Sequence, residues 1–180
     1  MYIFWMILYS LAIIGLEIIM FFKVDGISFT IDKIFKGFLL KFLLAAIVTT
    51  FNYLVLTDYL SYFIEPLFGL SLSFLLLRGL SKRLLFFYGL FPIVLMDIFY
   101  RSVSYFVFPF LGQGIVDGDG NPLFLLIMIF VYSIVLVFLK WLDYDFTSLR
   151  KEILDKSFQQ SLTKINWIMG AYFLVMENLS

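Results

Sequence analysis

The chain has 180 residues, of which 63% are apolar, 21% aromatic and 14% charged, whereas a soluble domain is about 45 to 50% apolar and about 25% charged. A water-soluble fold of this length has no interior large enough for so much apolar surface, and a formal net charge of zero gives no nucleic-acid footprint. The absence of Cys and His removes a disulfide framework, thiolate metal sites, the commonest general base and the commonest zinc ligand.

Met1 to Phe22 is an apolar run of the ~20 residues that cross ~30 Å of hydrocarbon as a helix. It has no basic leading region and no small-residue cleavage site, so it reads as a retained span rather than a signal peptide. Glu17, near its inner end, reaches toward the interface or faces other helices. Lys23 to Lys36 is a polar link with a turn at Gly26. The second span is read at Gly37 to Leu56, with Lys41 close enough to its start to snorkel inward and Asn52 placed to donate across a helix interface.

Thr57 and Asp58 form a tight turn before a third span, Tyr59 to Leu77, in which Pro66 falls on an early turn and is tolerated. The basic link Arg78 to Arg83 joins it to the fourth span, Leu84 to Phe106, so that Glu65 to Arg101 reads as a helical hairpin. Pro92 frees a carbonyl one turn earlier and predicts a kink. Beyond it, Asp97 and Arg101 stand at i and i+4 on one face, the spacing of an intramembrane ion pair. Glu65 is placed near the outer start of its helix, at a depth similar to that pair.

Val107 to Pro122 is rich in Gly and Asp. Asp117, Asp119 and Asn121 imitate the opening of a calcium loop, but Pro122 and Met128 stand where that loop needs Gly and a bidentate Glu. Turn chemistry explains the segment, and no metal or cofactor is expected. A fifth span is read at Leu123 to Leu139. Asp143 to Lys164 carries Phe146, Leu149, Ile153, Leu154, Phe158 and Leu162 at helical intervals and suits an amphipathic helix on the inner surface. Ile165 opens a sixth apolar run, short for a span where the chain stops at Ser180.

Of the 13 Lys and Arg, only Arg101 falls away from the links read as inner, which puts the N-terminus outside the cell membrane. The expected fold is therefore all-α: a polytopic transmembrane helical bundle of five full spans and a sixth, incomplete one, forming a single domain over residues 1–180. Ionisable groups inside spans are functional candidates, because they are expensive in hydrocarbon. Glu65, Asp97 and Arg101 would line the floor of an outward-facing pocket, with Gln113, Asp117 and Asp119 in the loop above it. Their alternative role is structural: the ion pair locks the bundle and Glu65 rests near headgroups.

Glu65-Pro66-Leu67, Phe87-Tyr88-Gly89-Leu90 with Pro92, Asp97-x-Phe99-x-Arg101 and Gln113-Gly114-Ile115-Val116 resemble, in order and spacing, the membrane sensor half of streptococcal peptide-pheromone receptor histidine kinases of the ComD/BlpH type. The resemblance implies a domain that senses a secreted peptide pheromone, a homodimer, and a cytoplasmic kinase that phosphorylates a response regulator. It carries a ligand-binding role onto Glu65, Asp97, Arg101 and Gln113. The chain has no His to phosphorylate and no ATP-binding motif, so catalytic residues are not expected in it, and it reads as stopping before a kinase domain. The rival expectation is a small membrane transporter or a bacteriocin-immunity protein.

Overall fold

A computed structural model of the chain describes residues 2–55, 61, 63–111, 122–142, 146–150 and 156–177. Among these the fold is all helical, with no strand. The helices are α1 (Tyr2–Val24), α2 (Ile31–Val55), α3 (Ile64–Leu76), α4 (Lys82–Leu111), α5 (Pro122–Trp141) and α6 (Lys156–Glu177), with a short 3-10 turn at Phe146–Arg150 between the last two.

Three helical stretches are long and apolar enough to cross a membrane, namely Ile7–Val24, Ile31–Val55 and Lys82–Phe106. The apolar helices Ile64–Leu76 and Leu126–Trp141 are shorter. At ~1.5 Å per residue, the 13 residues of α3 extend only about 20 Å, well under a bilayer's ~30 Å.

The chain forms two compact units, one of Met1–Met20 with Leu95–Tyr144 and the other of Phe21–Val94 with Asp145–Ser180. In the first, Val131 and Val135 of α5 are fully buried, and Phe99 packs on Phe138 with ring centroids 5.5 Å apart. The second has the larger buried cluster, which includes Phe21, Phe22, Phe68, Leu72, Leu84 and Tyr88.

Local chemistry explains how the second unit turns its corners. α1 ends where Gly26 adopts φ 59° and the Ile27 amide donates to the Phe22 carbonyl at 2.9 Å. This six-to-one bond over a left-handed residue closes a helix C-terminus, and the apolar contact that usually accompanies it is supplied by the buried Ile27 and Phe22. Gly79, at φ 96°, makes the bend between α3 and α4.

Those two helices run antiparallel in very close contact. The Ser73 hydroxyl donates to the Leu85 carbonyl at 2.6 Å, and a Cβ on Gly69 would lie 2.1 Å from the Gly89 carbonyl oxygen. The hairpin expected between Glu65 and Arg101 is thus present in its Glu65 to Val94 part, with glycine against glycine at its centre.

The helices run past the bounds read for the spans. α2 begins at Ile31, six residues before Gly37, where Asp32 and Lys36 pair at 2.6 Å and support the added turns. α4 starts at Lys82, runs through the buried Pro92 and ends at Leu111.

Within the polar segment read as a surface helix, the described residues Phe146–Arg150 form a 3-10 turn. Phe146–Arg150 folds inward: Leu149 is 8% exposed, the Phe146 ring packs 5.0 Å from that of Phe91, and the Tyr88 hydroxyl donates to the Phe146 carbonyl at 2.5 Å. α6 then runs unbroken from Lys156 to Glu177, across the junction expected at Lys164 and Ile165.

Candidate functional site

Besides the Asp32 and Lys36 pair on the first turns of α2, the described residues show two further ion pairs, one in each unit. In the second unit Gly37, Lys41 and Val48 form the buried face of α2. Pro66, Phe68, Gly69, Leu72 and Ser73 form that of α3. The Lys41 ammonium meets both Glu65 carboxylate oxygens at 2.5 Å and lies 4.7 Å from the centre of the Phe68 ring. Its side chain is 8% exposed, whereas that of Glu65 is 44% exposed.

Three effects hold this arrangement together. The carboxylate offsets the charge of a lysine withdrawn from water, the ring face attracts the cation, and the N-terminal turn of α3 favours the negative charge of Glu65.

Lys41 is therefore no snorkelling residue. Nor is Glu65 at the far end of the hairpin from it, since direct contact puts the start of α3 beside Lys41, ten residues into α2. The pairing of Lys41 with Glu65 was missed in the sequence. Its sequence signal is a single lysine inside an apolar run, four residues after Gly37 and seven before Val48, on what becomes one helical face.

In the first unit Arg101 Nε donates to Asp97 Oδ2 at 2.8 Å. The expected i, i+4 pair is present, and it is partly open, with side chains 43% and 26% exposed. Ser102 and Ser104 turn their hydroxyls back onto the carbonyls of Ile98 and Tyr100 at 2.7 and 2.8 Å, so neither polarises the pair. Glu65 belongs to the second unit, Asp97 and Arg101 to the first. Gln113, Asp117 and Asp119 lie outside the described residues.

The Phe87-Tyr88-Gly89-Leu90 motif has a packing role. Phe87, Tyr88 and Leu90 are buried, and a Cβ on Gly89 would fall 2.8 Å from Leu70 Cα. Asp25 is another acid that sequence reasoning left in a polar link; it is fully buried beside Gly26, whose added Cβ would meet Thr147. Among the described residues no group of three or more acidic, His or Cys side chains is placed to hold a metal ion.

Neither pair offers a nucleophile with a base beside it. Both offer separated charges that a ligand with complementary charge can exchange with. The chain matches no protein-family model, no curated protein and no solved structure.

Proposed function

We propose that the chain is the membrane-embedded sensor portion of a receptor for a secreted peptide, of the kind coupled to a cytoplasmic histidine kinase and its response regulator. In this reading α3 and α5, with the apolar residues flanking them in sequence, complete five crossings. The N-terminus lies outside and Arg78 to Arg83 inside.

The observation that carries the reading is the half-open Asp97 and Arg101 pair on α4. An i, i+4 pair can be broken by rotating two side chains, without separating helices, and is worth only about 0.5 kcal/mol when exposed. A peptide carboxylate that accepts hydrogen bonds from Nε and one outer nitrogen of Arg101 forms a stronger, bidentate contact and takes the Nε position that Asp97 holds. Ligand binding then releases Asp97, which becomes the altered charge that reports occupancy.

The test uses the full chain in lipid nanodiscs with a panel of photoreactive secreted peptides at micromolar concentration. Saturable labelling between Glu65 and Arg101, reduced at least tenfold by Arg101→Ala and retained in Arg101→Lys at intermediate strength, is the expected result. No saturable labelling by any peptide, together with solute uptake or bacteriocin protection conferred by the chain alone, would replace this reading with that of a transporter or immunity protein.

A further inference from the structure

Arg78, Lys82 and Lys164 are exposed and make no ion pair with another described residue. They come from two segments far apart in sequence, and Arg83 brings those segments together. Its Nη1 donates to Gln159 Oε1 at 2.8 Å, and its carbonyl accepts from Asn166 Nδ2 at 2.8 Å. Those two contacts hold the Gln159 and Asn166 face of α6 against the start of α4 and put Lys164, on another face of α6, at the same end of the unit as Lys82 and the bend containing Arg78. Asp32 and Glu65 of this unit are engaged by Lys36 and Lys41, and Asp25 is buried.

The surroundings of these cations are apolar. Phe74 lies four residues before Arg78, and Phe86 four after Lys82. The two rings meet edge to face at 5.9 Å while remaining 42% and 41% exposed. Trp167 and Ile168, three and four residues after Lys164, are 76% and 68% exposed. Lys82 and Lys164 each stand one helical turn from an exposed apolar side chain, and Arg78 stands in the bend just past the helix that carries Phe74. Cations beside exposed apolar side chains at one end of the unit match a molecule that has an anionic head directly joined to a hydrocarbon tail. A soluble anion would use the cations and leave the rings unexplained.

We propose that Arg78 and Lys82 form a binding surface for the headgroup of an anionic phospholipid, with an acyl chain lying along Phe74 and Phe86. The phosphodiester takes charge-assisted hydrogen bonds from Arg78 and Lys82. Lys164 adds to the local positive potential, and Trp167 sits at the boundary between headgroup and hydrocarbon. This surface stands independently of the peptide-sensing reading.

The test is lipid retention by the purified full chain in detergent, read by native mass spectrometry together with the melting temperature. The probes are dioleoylphosphatidylglycerol, dioleoylphosphatidylcholine and inorganic phosphate. Phosphatidylglycerol should bind at least about tenfold more tightly than phosphatidylcholine, and Arg78→Gln and Lys82→Gln should each reduce that preference about fivefold. Lys82→Arg should keep it, which separates lost charge from lost folding. Phe86→Ala should weaken both lipids alike. Equal retention of the two lipids would overturn the proposal, as would stabilisation by millimolar inorganic phosphate equal to that by phosphatidylglycerol.

Discussion

Lys41 and Glu65 are unequal partners. The lysine is almost wholly withdrawn and the carboxylate is half open, so removing the carboxylate takes two offsetting oxygens from a buried cation, while removing the lysine leaves an acid that can still find water or a headgroup. Glu65→Ala should therefore lower stability by about 3 kcal/mol, and Lys41→Met by clearly less. Denaturant titration in mixed micelles measures both. The swapped pair Lys41→Glu with Glu65→Lys should recover part of the loss, because the attraction between the two sites survives the exchange. The lysine was visible in the sequence as one charge in an apolar run, but its partner was not. Sequence places Glu65 by counting from a turn at Thr57 and Asp58, and that count presumes a full-length third span. The Asp97 and Arg101 pair was legible because helical geometry alone brings i and i+4 together.

At the level of elements, the α3 and α4 hairpin is set by three glycines. Gly79 bends the chain in open space, and Gly69 and Gly89 let the two backbones touch. Gly89→Ala places a methyl group against the Leu70 backbone, which has no side-chain freedom to yield. It should cost about 1 to 3 kcal/mol by overpacking. Gly79→Ala meets no neighbour, and its smaller penalty, about 1 kcal/mol, comes from the positive φ alone. Comparing the two melting temperatures checks the assignment. Equal spacing of Gly69 and Gly89 on either side of Gly79 is readable in the sequence once a hairpin is assumed. The division of α6 misled for a different reason. Polarity changes abruptly at Ile165, yet backbone hydrogen bonding does not depend on polarity, and Gln159, Leu162, Asn166, Met169 and Phe173 keep one helical face across the change. The inward fold of Phe146–Arg150 was hidden because its main hold is a backbone carbonyl, which leaves no trace in residue type.

For the molecule as a whole, composition was enough to indicate a helical membrane protein, and three helices have the length and apolarity to span. The proposed orientation rests on charge placement. Because the chain contains no Cys, single-cysteine labelling reads it without background. In intact cells, Ser81→Cys should resist a membrane-impermeant maleimide until the cells are opened, and Gly118→Cys should react at once. Reversed labelling would invert the topology and remove the outward mouth assigned to Asp97 and Arg101.

The tyrosine held within the second unit divides evolutionary freedom unevenly. Every amino acid at position 146 still presents a carbonyl, so that acceptor survives substitution there while the ring contact with Phe91 is forfeited. No other residue at position 88 supplies a phenol of the same reach. Related chains that keep this architecture should vary at 146 among bulky apolar types while holding tyrosine at 88.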